Sequence, residues 1–211
     1  RPGASRSRWS ITRYPYTKSE KEGRRNPALF KGEDKQVSKL LVVVDYQNDF
    51  VNGSLGFPGA EALEEPICRK IEEYKARGDD VAFTFDTHGE DYLETQEGKN
   101  LPVTHCVRGM PGWELYGRVA DYCDALTPCF HKPAFGSMAL AYYAKTQGYE
   151  EVELCGLVSN ICVISNAVLV KAALPEARVS VDARCTACAD PAMNEKALDV
   201  MEGLQVAVTN R

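Results

Sequence analysis

Lys39-Leu-Leu-Val-Val-Val-Asp45 is an unbroken apolar, β-branched run, which predicts a strand buried on both faces. Asp80-Val-Ala-Phe-Thr-Phe-Asp86 predicts a second strand, and Glu151–Cys155, Arg178–Val181 and Gln205–Val208 predict three more, with a brief strand-like piece before Lys132. Between them the apolar period lengthens. Residues 60–77 carry Leu63, Ile67, Ile71 and Tyr74 at helical spacing, with Gly78 marking the stop. Further helices are predicted near Leu115–Cys123, Met138–Thr146, Ile161–Leu174 and Ala192–Glu202. Strand and helix alternate, which predicts an α/β fold: three layers, α/β/α, with a mainly parallel, doubly wound, Rossmann-like sheet. Only the stretch from His88 to Trp113 lacks periodicity, and a loop that long inside a compact domain is usually functional.

The 211 residues, 44% of them hydrophobic, suffice for one well-packed domain. No apolar run reaches the length of a membrane span and none reads as a signal-peptide core, so the chain reads as soluble. Eight cysteines scattered over a chain of this size fit a reducing cytosol better than a disulfide-stapled module. The Cys185-Thr-Ala-Cys188 pair has no second pair to complete a zinc site and reads as packing. Charge is asymmetric. Residues 1–39 hold 11 Lys/Arg and 4 Asp/Glu, a net +7, against −12 for the remainder. Residues 1–37 therefore read as a basic extension, flexible or appended, ahead of a domain over 38–211. The acidic body argues against nucleic acid as the main partner.

In a parallel sheet the ligand site lies beyond the carboxyl ends of the strands. Asp45, Asp86 and the turn Gly156-Leu-Val-Ser-Asn-Ile-Cys162 all fall at such ends. Cys162 is placed where a helix begins, so the helix dipole and unpaired backbone N–H groups are expected to lower its pKa. Alone, Cys162 is more often a small core residue, Asp45 a turn or cap residue, and Lys132, in Phe130-His-Lys-Pro-Ala-Phe135, a solvated charge. Asp86-Thr-His88 is a separate constellation: two residues apart at a strand end, both point to one face. His105 follows in the loop, so two of the three histidines sit with Asp86. Such a mixed donor set suits Zn, Fe(II) or Mn(II).

Taken together, Asp45, Lys132 and Cys162 resemble the Asp–Lys–Cys triad of the isochorismatase-like cysteine hydrolases, the nicotinamidase and pyrazinamidase family. The resemblance runs from about Lys39 to the C-terminus and includes Asp45-Tyr-Gln-Asn-Asp49-Phe50 after the first strand. It implies a metal-containing amidohydrolase that converts nicotinamide or a related small amide to the acid plus ammonia. In that reading Asp45 is the base, Lys132 the cationic partner and Cys162 the nucleophile. The backbone N–H groups of Val158 and Cys162 hold the oxyanion, the Leu157–Val158 bond is cis, and Phe50 contacts the substrate ring. The metal would be held by Asp86, His88, Glu97 and His105, with Glu94 and Glu90 as alternatives to Glu97.

One position departs from the family. Where nicotinamidases carry an aromatic three residues before the last metal histidine, this chain has Pro102. Trp113 or Phe135 could supply the missing ring contact. The same position keeps open a second reading with the same triad, hydrolysis of a ureido or carbamoyl compound. A third class is a non-catalytic binding protein on the same fold, against which the intact triad argues. Isochorismate hydrolysis is disfavoured, since the family members that perform it do without the cysteine and the metal set. His131 reads as structural or as a rim residue, and Cys106 and Cys155 as packing. Family members often self-associate, so a homo-oligomer is a further expectation of the resemblance.

Overall fold

The apolar run at Lys39–Val44 forms the first strand, β1, in a computed structural model that describes residues 37–211. Alternate side chains leave a strand on opposite sides. Accordingly Leu41 and Val43 enter one core while Leu40, Val42 and Val44 enter the other. Five more strands follow: Asp80–Asp86 (β2), Cys129–Lys132 (β3), Glu151–Leu157 (β4), Arg178–Ala187 (β5) and Ala207–Thr209 (β6). They form one sheet in the order β3-β2-β1-β4-β5-β6, parallel at every pairing.

Helices cover both faces. After the short α1 (Asn48–Val51), α2 (Glu64–Arg77) packs Ile67, Cys68, Ile71 and Tyr74 against the Leu41 and Val43 side. It ends at Gly78, whose φ of 76° is the left-handed conformation that glycine adopts without steric cost. A short helix, α3 (Gln96–Asn100), follows β2. The opposite face is covered by α4 (Met138–Gln147), α5 (Ile164–Ala173) and α6 (Pro191–Gly203), through Leu140, Ala167, Val170, Leu198 and Met201. Among the described residues no helix is long and apolar enough to cross a membrane. The basic segment expected over 1–37 lies, up to residue 36, outside the described residues.

Several boundaries differ from the sequence reading. The helix expected near Leu115–Cys123 is a 3-10 helix, Gly117–Tyr122. The aperiodic stretch after His88 contains α3, whose N-cap Thr95 accepts a hydrogen bond from the Gly98 N–H. β5 runs on to Ala187, past a register shift opposite Leu154 and Gly156. The helix expected from Ile161 begins as a π-helical turn, Ser159–Val163, that feeds α5.

The strand order fixes where a ligand belongs. From β1 the sheet grows toward β2 on one side and β4 on the other, and a crevice opens outside the carboxyl ends at such a reversal. Asp45 and the Gly156–Cys162 turn leave β1 and β4 at that crevice, with the ends of β2 and β3 beside them.

Candidate active site

Cross-strand register does much of the assembly. Asp86 and Lys132 are direct neighbours at the ends of β2 and β3, and Val44, just before Asp45, pairs with Thr84. Asp45 takes a left-handed φ of 45°, tolerated by aspartate, and its Oδ1 accepts a hydrogen bond from Thr84 Oγ1 at 2.6 Å. Lys132, only 1% exposed, reaches into the centre. Its Nζ lies 2.6 Å from Asp45 Oδ2, 3.3 Å from Asp86 Oδ1 and 3.5 Å from Cys162 Sγ. One buried ammonium thus touches all three groups. Asp45 Oδ2, though close to the ammonium, accepts no well-aligned hydrogen bond from it, and the carboxylate also faces the Cys162 thiol.

The electrostatics correct the expected low thiol pKa. Burial, with the Asp45 carboxylate adding to it, pushes the Cys162 thiol well above its ordinary value, despite the opposing pull of Lys132. The reason is position. Cys162 is the fourth residue of the π-helical turn and is buried against two carboxylates, so desolvation outweighs the helix terminus. Burial likewise raises Asp45, with Lys132 pulling the other way. For Lys132 burial works to lower the pKa, but Asp45, Cys162 and Asp86 more than offset it and keep the side chain charged.

A second cluster shares Asp86. Its Oδ2 lies 3.0 Å from His88 Nε2 and 3.2 Å from His105 Nε2, and Glu97 Oε1 is 3.9 Å from each ring nitrogen. Donors bound at about 2.0–2.2 Å to one tetrahedral ion stand about 3.3–3.6 Å apart; Asp86, His88 and His105 form a buried group that could hold a divalent metal, and Glu97 stands outside that group, 3.9 Å from each imidazole. His105 Nδ1 is 2.8 Å from Val103 O; donating there leaves Nε2 as the lone-pair nitrogen, as a metal ligand requires. Burial opposes ionisation of Asp86, but hydrogen bonds from His105 and His88 and the charge on Lys132 hold its carboxyl below the usual range; an imidazole donating to Asp86 from Nε2 must give up that proton before the same nitrogen can bind a metal. The alternatives Glu90 and Glu94 are exposed.

Between the two clusters lies a cavity of about 390 Å³. Its lining includes Cys162, Asp86, Glu97, His105, Phe50 and Val158. The Leu157–Val158 bond is cis. Phe135 also lines the cavity, but Trp113 does not; it stacks on the exposed His131 at 5.5 Å and donates to Thr87 Oγ1 at 2.9 Å. All eight cysteines are free; Cys106, Cys155 and Cys185 pack in a core, and Cys188 stands in the cavity wall.

Some residues that shape the site carry no chemistry of their own and were passed over in the sequence. Gln47 donates to Asp86 O at 3.0 Å and accepts from the Asp86 N–H at 2.8 Å, pinning that backbone. Asp49 Oδ2 accepts from the Cys106 N–H at 2.7 Å, holding the residue after His105 at a left-handed φ of 47°. Tyr92 packs on both metal-site imidazoles, at 4.7 and 4.9 Å between centroids. Asn166 donates to Cys162 O and accepts from the Ser137 N–H, tying the thiol turn to the segment after Lys132. The repeated acids and amides of Asp45-Tyr-Gln-Asn-Asp49 were the available signal for the first two.

The fold and the site define a class: a three-layer α/β hydrolase with a thiol, a carboxylate and an ammonium gathered at the carboxyl edge of a parallel sheet. The isochorismatase domain model matches residues 39–211, and the chain belongs to that family. Among solved structures it is similar to a nicotinamidase/pyrazinamidase from Bacillus subtilis, at 26% identity and a TM-score of 0.73, covering 82% of this chain and 99% of that one. A pyrazinamidase of Pyrococcus horikoshii in complex with zinc is similar at 23% identity and a TM-score of 0.72, over 82% and 99% of the two chains. An N-carbamoylsarcosine amidase from Thermoplasma acidophilum is similar at 23% identity and a TM-score of 0.68, over 82% and 95%. At 23% identity the last two speak to the fold. A comparison with curated proteins finds no match.

Proposed function

We propose that this protein is a metal-containing cysteine amidohydrolase that converts nicotinamide or a related small amide to the acid and ammonia. The observation that carries the reading is Lys132, whose Nζ stands within 3.5 Å of a thiol and two carboxylates in a buried site. A dry ammonium there lets a buried thiol ionise only while its proton stays close by.

Cys162 rests as a thiol. When an amide carbon approaches Sγ, Asp45 takes the thiol proton and Sγ forms the bond to carbon. Lys132 offsets the charge on the Asp45–Cys162 pair throughout. The oxyanion is received by the backbone N–H groups of Val158 and Cys162, both residues of the cavity wall. Asp45 returns its proton to the leaving nitrogen, ammonia departs and a thioester remains. Water then attacks the thioester with Asp45 as base; the acid leaves and the thiol is restored. A divalent ion held by Asp86, His88, Glu97 and His105, zinc first with iron and manganese as alternatives, supplies a Lewis-acidic centre for a lone pair of the substrate beside the scissile amide. Phe50, packed edge-on to His105 at 5.7 Å, is the ring contact.

The test is an ammonia-release screen over nicotinamide, pyrazinamide and ureido compounds, on metal-quantified protein beside Cys162→Ala. Turnover of a ring amide that vanishes in the variant supports the proposal; a variant as active as the parent overturns it.

A further inference from the structure

The outer half of the cavity has a character that the chemistry at its floor does not require. Leu101, Phe135, Ile161 and Met193 are 38%, 46%, 38% and 40% exposed, large apolar side chains from four separate segments. All four line the cavity. Cys188 and Ala189 are the small residues of the same wall. Four such side chains around one mouth make a built apolar surface rather than the scattered exposure common to any protein.

Size points the same way. Even at the about 30 Å³ that liquid water takes per heavy atom, a ring amide of nine heavy atoms fills about 270 Å³, short of the cavity's volume. Charge narrows the class further. Among the described residues the lining contains no lysine or arginine; of its acids Asp86 and Glu97 belong to the metal-site cluster, so Asp190 is the one acidic side chain of the outer wall. A substrate bearing its own carboxylate would meet no cationic side chain in the wall.

We infer that the substrate is an uncharged carboxamide whose ring carries an apolar substituent, seated against Leu101, Phe135, Ile161 and Met193. The inference rests on the amidohydrolase reading and sharpens it: carboxylate-bearing ureido compounds and dicarboxylates are excluded from the class. Burying one more methylene against such a wall is worth about fourfold in affinity.

The experiment compares nicotinamide with its 5-methyl, 5-ethyl and 5-propyl derivatives and with its 5-carboxylate, on the zinc-loaded protein, by kcat/KM for ammonia release. The 5-carbon is the one open ring position adjacent to neither the carboxamide-bearing carbon nor the ring nitrogen. The expected result is a rise of about threefold to fourfold per added carbon, carried by KM, with the 5-carboxylate at least tenfold below nicotinamide. Nicotinamide turned over as well as or better than the propyl compound, or a preference for the carboxylate, overturns the inference and leaves the amidase reading standing. Absence of ammonia from every compound overturns both.

Discussion

Replacing Lys132 by methionine removes the charge at the centre of the site while nearly keeping the side chain's length and apolar stem. At an effective dielectric of about 20, its contacts at 2.6 Å with Asp45 and 3.3 Å with Asp86 are worth about 6 and 5 kcal/mol. Desolvating the ammonium takes back several kcal/mol of that sum, and truncating one partner of a buried ion pair typically costs about 3–5 kcal/mol. Lys132→Met should therefore lose about 3–5 kcal/mol at neutral pH, read by urea unfolding. The loss should shrink in acid. Without the ammonium, Asp45, which burial already raises against the pull of Lys132, takes up a proton in the folded protein at a higher pH than in the unfolded chain. The folded state then binds more protons, and stability falls as pH rises above the ordinary aspartate range of about 3.9. The thiolate also loses its cationic neighbour, so alkylation of Cys162 by iodoacetamide at pH 8 should slow by about tenfold or more. A variant within about 1 kcal/mol of the parent, with an unchanged alkylation rate, would refute the role given to Lys132.

Asp45 must be ionised to accept a proton, and burial raises its pKa; the acid limb of kcat/KM should lie above about 3.9, and a limb at or below that value would contradict the assignment. Asp49→Ala frees the Cys106 N–H beside His105 and should weaken metal binding by about 10–100-fold in a chelator competition, while unchanged affinity in a folded variant would remove Asp49 from the site. Gly156→Ala meets a left-handed φ of 103° and places a Cβ 2.0 Å from Val44 O, where β4 pairs with β1. It should cost about 1–3 kcal/mol for the conformation and about 1–3 more for overpacking, and an unshifted melting temperature would contradict the close approach.

Strands buried on both faces announce themselves: β1 was legible because nothing polar interrupts it, and β2 and β4 because a single Thr84 or Glu153 does not hide the apolar run. Their ends were legible too, and that placed Asp45, Asp86 and Cys162 at one edge of the sheet. β5 was half hidden, since Asp182 and Arg184 break its apolar run. The thiol's pKa was misread because helix position is visible in a sequence and desolvation is not. Nor could Gln47 and Asp49 be given roles, because each acts through hydrogen bonds to backbone about 40 to 65 residues away. The cavity wall was beyond reach for the same reason. Leu101 and Met193 meet only after the sheet has folded, and neither belongs to a motif.

If Cys162 is the nucleophile, it carries the acyl group as a thioester between ammonia release and hydrolysis. Intact-mass measurement of the zinc-loaded protein, acid-quenched during turnover of a ring amide, tests it without intermediaries. The expected result is an adduct of the acyl mass that maps to the peptide bearing Cys162 and is absent in Cys162→Ser. Continued ammonia release with no adduct in the parent and undiminished turnover in Cys162→Ser would contradict it.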